Sequence, residues 1–374
     1  MKIAQENNLP TRSPRKLSRL KAALLVPACG LLMNLATSSQ AAVIDFWANV
    51  TDSTGALQLQ NFRYDTETSD LDLHQVVNAS TTYNVHANAE MSAVKLSGDG
   101  RYLTMMAQSR KAMVTYDLTT GAFNKTANVT AGTNGRNIWS QDGQSYYIVG
   151  TSAAGSPGYV APGSTSVVQL ATDTTYSMLD ISAHNNNLYF SRGNGVYKYP
   201  VEGLPTTGAT ASIGTSRQLT GTGWATTGVT YTGFSFLGEQ ILFALNTTNG
   251  QIEAYFNDNL ALPNDNWNLF DTVGTSLGGL GAAPLQMSLY DNADGSAQLF
   301  FTSGNVLGTV AWLYDEISGT WGFGELSHLA TPGSGMTFHG VAVTAVPEPG
   351  TWMLLGLGAL VLVIVRVRQR TSLC

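Results

Sequence analysis

Between Val43 and Ala345 one pattern recurs: an apolar run, a tight polar turn and a second apolar run. It appears in MSAVKLSGDGRYLTMM from Met91, RNIWSQDGQSYYIVG from Arg136 and MLDISAHNNNLYFS from Met178. It returns in VTYTGFSFLGEQILFAL from Val229 and LQMSLYDNADGSAQLFF from Leu285. Tips rich in Gly, Asp and Asn between β-prone runs are hairpin signals. The tips fall near Asp99, Asp142, Asn187, Gly238 and Asp294, so successive units lie 43, 45, 51 and 56 residues apart.

Several units continue into a third strand: AMVTYDLTTGAF (Ala112–Phe123), VVQLATDT (Val167–Thr174), GVYKYP (Gly195–Pro200), IEAYFND (Ile252–Asp258) and VAWLYDEISGTW (Val310–Trp321). Three or four strands every 40 to 55 residues or so is the period of a β-propeller blade. A lone blade leaves both faces uncovered, so blades must stack around an axis and close into a ring. FWANV and LQLQNFRYDTETSDLDLHQVV, near the start, have outer-strand character without an inner partner. MTFHGVAVTAV (Met336–Val346) is an inner strand without outer ones. Together they make a sixth blade that joins the two ends. The expected fold is therefore all-β, a propeller of six blades. Seven blades, a large sandwich and two small β-domains are the alternatives.

Charge and cysteine divide the chain the same way. Six basic residues (Lys2, Arg12, Arg15, Lys16, Arg19, Lys21) precede an apolar run at Ala22–Ala36, and TSSQAAV follows it. That order is an export signal for the general secretion machinery, with cleavage after Ala41 (Ser39-Gln40-Ala41) or Ala42. Val26-Pro27-Ala28-Cys29 offers a lipoprotein alternative, weakened because the apolar run continues past Cys29. Residues 43–345 carry ten basic and 23 acidic side chains, a net charge of about −13, which repels phosphate backbones and argues against nucleic acid. Cys29 and Cys374, the only cysteines, lie in the terminal segments, so a processed body has no disulfide and no thiol chemistry.

At the other end, Pro347-Glu348-Pro349 precedes an uncharged run from Trp352 to Val365, and then Arg366, Arg368 and Arg370. Fourteen residues span about 21 Å as a helix, against a hydrocarbon core of about 30 Å. Extending the helix over 351–367 and letting the arginines reach outward brings it near a thin-bilayer span. The three arginines then stop the helix on the cytoplasmic side, with the body beyond the inner membrane. This order resembles the PEP-CTERM protein-sorting segment of Gram-negative bacteria. The resemblance implies recognition by exosortase, a membrane transpeptidase with a cysteine nucleophile, and makes Pro347, Glu348 and Pro349 a processing site. Two prolines keep the backbone there extended, as a processing enzyme needs. The expected segments are a signal at 1–42, a propeller body at 43–345 and a sorting segment at 346–374.

The body also resembles a group of PEP-CTERM proteins of unassigned function, through LSGDGRYLT (Leu96–Thr104), GLPTT (Gly203–Thr207) and FHGVA (Phe338–Ala342), where His339 replaces the group's arginine. That similarity implies fold and location and assigns no catalytic residue.

Catalytic signals are sparse. His74, His86, His184, His328 and His339 have no HxH or HExxH spacing. Asp70-Leu71-Asp72 lacks the closely spaced oxygens of a calcium loop, and Asp291-Asn292-Ala293-Asp294-Gly295 lacks its distal glutamate, so the latter reads as a hairpin tip. The glycine-rich stretch Gly274–Pro284 opens no helix and is a linker. Trp224, Trp267, Trp312, Trp321 and Tyr231 are candidates for sugar-stacking platforms at a channel mouth, or else for core packing. No catalytic residue, metal or cofactor is nominated. The expected role is that of an exported, non-enzymatic protein of the cell envelope or extracellular space, structural, adhesive or associated with exopolysaccharide. The rival is a secreted polysaccharide hydrolase or lyase working at the channel mouth.

Overall fold

The computed structural model describes residues between 43 and 344, leaving out 80–91, 108–111, 126–134, 151–157, 170–177, 193–194, 200–216, 225–230, 258–265, 275–285, 304–305 and positions 186 and 293. The expected signal and the sorting segment with its helix lie outside the described residues. Among the described residues no helix is long and apolar enough to cross a membrane.

Three strands open the chain: β1 (Val43–Thr51), β2 (Leu57–Asp65) and β3 (Leu71–Asn78). The second blade runs outward through β4 (Lys95–Leu96), β5 (Tyr102–Ala107), β6 (Ala112–Asp117) and β7 (Ala122–Lys125). The third holds β8 (Gly135–Ser140), β9 (Tyr146–Gly150), β10 (Gly158–Val160) and β11 (Val168–Gln169). The fourth holds β12 (Met178–His184), β13 (Asn187–Arg192), β14 (Gly195–Tyr199) and β15 (Arg217–Gln218). The fifth is β16 (Tyr231–Leu237), β17 (Ile241–Asn246), β18 (Gln251–Phe256) and β19 (Asn268–Gly274). The sixth is β20 (Gln286–Asp291), β21 (Ala297–Thr302), β22 (Leu307–Asp315) and β23 (Thr320–Phe323), with β24 (Ser327–Ala330) also on β22. Finally β25 (Thr337–Thr344) pairs antiparallel with β1 and becomes the inner strand of the first blade.

The result is a six-bladed β-propeller closed by the two ends, as the unpaired terminal strands predict. Each expected hairpin tip joins the inner strand of a blade to its second strand. One expectation needs correction. In the third blade the third strand is Gly158–Val160, and VVQLATDT supplies the fourth through Val168–Gln169. A three-residue strand beginning on glycine carries too little periodicity to be seen in a sequence.

The second strand of each blade explains why a ring is needed. In β9, Tyr147 and Val149 pack with Ile181, Leu188 and Phe190 of the fourth blade, whereas Tyr146 and Ile148 pack with Met106 and Met113 of the second. In β17, Leu242 and Ala244 face the fourth blade's Tyr189 and Val196, while Phe243 and Leu245 face Leu299 and Phe301 of the sixth. Successive side chains of a strand point to opposite faces, so runs such as YYIV and ILFAL bury both. Burying a large apolar side chain contributes about 1.5–3 kcal/mol. Opening one inter-blade cluster would therefore forfeit on the order of the 5–15 kcal/mol that holds a whole domain together.

The sixth and first blades meet through Phe300, which lies 4.4 Å from Phe46 and 5.6 Å, edge-on, from Tyr64. At the next junction Asn49, fully buried on β1, donates through Nδ2 to the Ser92 carbonyl (2.8 Å) and accepts at Oδ1 from the Val94 amide (3.2 Å). Gly340 on β25 passes so close that a Cβ there would sit 2.4 Å from that of Ala93. His339 is the extra residue of a bulge in β25 and bonds Thr51 Oγ1 through Nε2 at 2.6 Å, a structural role.

Aspartates hold the turns. Asp52, Asp65, Asp117, Asp142, Asp294 and Asp315 each accept a backbone N–H from two residues onward. Hydrogen bonds from neighbouring hydroxyls and backbone amides hold Asp52 and Asp315 below the usual carboxylate range. For Asp117 the Arg101 guanidinium is the main cause. Because these groups bind protons less readily when folded, their contribution is present above about pH 3.8 and lost as pH falls through the depressed values. Thermal unfolding followed from pH 7 to pH 3 is expected to show a fall in Tm at the acid end that shrinks in Asp117→Asn. Asn49→Ala is expected to lower unfolding stability by about 1–3 kcal/mol in urea titration, since it orphans a buried carbonyl and a buried amide.

Candidate functional site in the central channel

The inner strands β4, β8, β12, β16, β20 and β25 line the axis. Three of them, β8, β12 and β16, carry a bulge one or two residues from their start. A bulge re-aims the side chains beyond it. In β8 and β12 the residues after the bulge are Asn137 and Asp180, both buried polar groups.

Asp180 is fully buried and gathers four blades. Its Oδ1 accepts from Lys95 Nζ of the second blade at 2.5 Å, from Asn137 Nδ2 of the third at 3.2 Å and from its neighbour Ile181 N at 2.9 Å. Its Oδ2 accepts from Phe234 N of the fifth blade at 3.3 Å. Asn137 Nδ2 also donates to the Leu179 carbonyl at 2.9 Å. Lys95 is itself buried and lies 5.9 Å from the Phe234 ring centroid. Burial pushes Asp180 up, and the Lys95 ammonium with its hydrogen bonds opposes that shift.

Beside Lys95 lies a cavity of about 220 Å³ touched by all six inner strands, from Lys95 and Trp139 through His184, Phe234 and Gln286 to Val341. Two buried acceptor-capable atoms in its wall, Gln286 Oε1 and His184 Nε2, have no hydrogen-bond partner. The His184 ring stacks on Phe236 at 4.4 Å and 6°. Burial holds its pKa below the usual histidine value, against the opposing pull of the Gly238 bond and Glu239; Lys198 adds to the lowering.

A second, larger concavity of about 750 Å³ lies on the outer edge between β19 and β22–β23, lined by Phe270, Tyr314, Trp321 and Phe323 with Asp271 and Asp315. Phe270 and Tyr314 are half exposed there, and Tyr314 meets Trp321 at 5.5 Å. Asp271 Oδ2 accepts from Phe323 N at 2.9 Å, tying the fifth blade to the sixth.

The residues singled out in the sequence fare unevenly. Trp224, Trp267, Trp312 and Tyr231 are buried packing groups, with Trp224 stacked on Tyr255 at 3.8 Å; only Trp321 lies in a groove. His74 is exposed on β3, His328 on β24, and His86 lies outside the described residues. Asp70 and Asp72 are exposed, and Asp294 caps its hairpin by accepting from Ser296 N at 2.8 Å. Among the described residues no three of His, Cys, Asp and Glu gather as metal ligands would. Ala41, Ala42, Pro347, Glu348, Pro349, Arg366, Arg368 and Arg370 lie outside the described residues. Sequence reasoning missed Lys95, Asn137, Asp180 and Gln286, because no local motif marks groups that meet only when blades assemble.

Removing one member of a buried ion pair strands the other. Lys95→Met is expected to cost about 3–5 kcal/mol in urea unfolding, and Lys95→Met with Asp180→Leu distinctly less than Lys95→Met alone. A double-mutant cycle measures the coupling. Because His184 is held neutral, the unfolded chain takes up its proton first on acidification. Stability is therefore expected to decline as pH falls below about 6.5, and less so in His184→Phe.

Residues 345–369 match the family described as PEP-CTERM protein-sorting motif. No curated protein matches the chain. Among solved structures, a chain from the crystal structure of a nidogen/laminin complex is 12% identical over 80% of this chain and 98% of that one, with a TM-score of 0.50. The β-propeller domain of Cps50 (Swd1) from Myceliophteria thermophila is 11% identical over 82% and 99%, with a TM-score of 0.46. A protein from Lactobacillus plantarum is 12% identical over 81% and 100%, with a TM-score of 0.47. The first of these likenesses bears on fold alone. The motif implies an exported protein targeted to exosortase. The chain is thus a six-bladed β-propeller that carries a PEP-CTERM protein-sorting motif.

Proposed function

We propose that the general secretion machinery exports this chain, that its signal is removed after Ala41 or Ala42, and that a helix at 351–367 then holds it in the inner membrane. Arg366, Arg368 and Arg370 stop that helix at the cytoplasmic side. Exosortase then acts at Pro347-Glu348-Pro349 and passes the propeller to the cell envelope or the extracellular space. There the body serves as a non-enzymatic structural or adhesive protein, or in association with exopolysaccharide.

The observation that carries this reading is where the closing strand stops. β25 ends at Thr344, immediately before the matched motif, so a cut at 347–349 leaves every strand of the ring in place. Thr344 pairs with Asp45, so both ends of the body leave from one rim. The exposed aromatic groove beside Trp321 is consistent with contact to an extracellular surface. For the rival hydrolase or lyase, which would use carboxylates or histidines, the described residues lining the channel cavity offer His184 and no Asp or Glu.

The test is fractionation of cells that express the full chain, a chain lacking the last 28 residues, and a chain with Pro347, Glu348 and Pro349 all changed to Ala. Surface delivery is expected only for the first. The alanine variant is expected to accumulate uncleaved in the inner membrane. Undiminished surface delivery of the truncated chain would defeat the sorting reading.

A further inference from the structure

We propose that the channel cavity is a binding site for one small, neutral polyhydroxylated molecule of about sugar-ring size, held between Gln286 Oε1, His184 Nε2 and the Lys95 ammonium. The proposal goes beyond the sorting of the chain and does not depend on it.

Three observations carry it. The first is space. About 220 Å³ lies open at the axis, many times the 10–15 Å³ or so that admits a single water and below the roughly 300 Å³ at which drug-sized pockets begin. The second is unmet bonding. Gln286 is 1% exposed, and its Oε1 has no partner, while its Nε2 makes only a 3.4 Å contact to the Met287 carbonyl. His184 Nε2 is likewise buried and unpartnered. A neutral imidazole carries one proton, so in the tautomer protonated at Nδ1 this unpartnered Nε2 is a bare acceptor. An unpaired buried acceptor costs about 1–3 kcal/mol, so two lining one cavity call for a ligand that brings O–H or N–H donors.

The third observation is charge. Lys95 and Asp180 form a neutral, strongly dipolar pair beside the cavity. An anion would meet two bare acceptors, and the Lys95 charge that could hold it is already balanced by Asp180. A cation would meet the Lys95 ammonium, which takes up part of the attraction of the Phe234 ring. Lys95 carries three N–H donors, and the ion pair engages one of them. Ser288 Oγ already accepts from Val343 N at 3.0 Å, which leaves its O–H to donate. The wall thus presents both acceptors and donors. Hydroxyl groups, each a donor and an acceptor at once, answer both without bringing net charge. Trp139 and Phe236 add apolar surface to the same wall, suited to the C–H edge of such a ring. Side chains grade from buried Lys95 and Gln286 to half-buried Ser182, His184, Ser235 and Ser288, so entry is from the hairpin-tip ends of the inner strands.

The test uses the full chain, purified in a sugar-free zwitterionic detergent, with D-glucose and myo-inositol as neutral probes and choline and acetate as charged ones. Binding is read by ¹⁵N NMR of labelled histidine, where the chain's five His rings keep the spectrum simple. The expected result is a saturable shift of the His184 ring signal by at least one polyol. Affinity should weaken ~10-fold in Gln286→Met, the loss of one hydrogen bond to a buried acceptor. Should that variant not fold, the His184 signal of the unaltered chain still decides. Absence of any polyol shift, leaving a cavity filled by water alone, overturns the proposal. So does preferential binding of choline or acetate, or undiminished polyol affinity in folded Gln286→Met.

Discussion

The pairing of β25 with β1 holds everything else in place. A blade with apolar side chains on both faces is insoluble by itself, and five stacked blades still expose two such faces. Only when the last strand folds back beside the first does Phe46 find Phe300, and Trp47 the cluster around Leu103 and Tyr116. The closing strand is fixed by steric means as well as by its ladder. Gly340 allows the approach to Ala93, and the bulge at His339 sets the register beyond it. Asn49, on the partner strand, then bonds the backbone of the second blade, so the seam that joins the two ends is also bonded sideways.

At the axis the packing problem is reversed. Six inner strands converge where apolar side chains of ordinary size cannot fill the space, and part of that space is lined by polar groups. The Asp180 cluster is costly to desolvate, and a buried ion pair is weak evidence of net stability. Its value is geometric. One carboxylate takes donors from four successive blades, which fixes their relative heights in a way that apolar contacts, being non-directional, do not. The bulges in β8 and β12 make this arrangement, since they turn Asn137 and Asp180 out of the alternation that the rest of each strand obeys.

Much of this fold is legible in the sequence because the devices that make it are local. A hairpin tip such as Ser97-Gly98-Asp99-Gly100 announces itself: Asp99 accepts from the Ser97 hydroxyl and the Arg101 amide, and Gly100 takes a positive φ of 72°. The orphan strands at either end predict their own union, because a strand with an apolar inner face and no partner in its own unit must find one elsewhere. Gly158–Val160 escapes, being too short to show a period, and its place falls to the next apolar run. The candidate site escapes for another reason. Lys95, Asp180 and Gln286 look like ordinary residues at strand starts, and only the ring brings them together. The tryptophans leave two readings open, platforms or packing, and packing holds for most: in a propeller the gaps between splayed outer strands need large side chains, which is where Trp224, Trp267 and Trp312 lie.

The strongly acidic body admits a similar reinterpretation. Its charge suggests an electrostatic surface, but many of the aspartates are turn caps whose carboxylates are taken up by backbone amides within four residues. Aspartate is favoured there because its short side chain reaches its own backbone two residues on. The net charge is in good part a by-product of building a chain from many tight turns. This separates two questions that composition alone runs together. The acidity answers how the blades are made. Recognition falls instead to places where bonding capacity is left over, and the unmet acceptors around the axis are such a place.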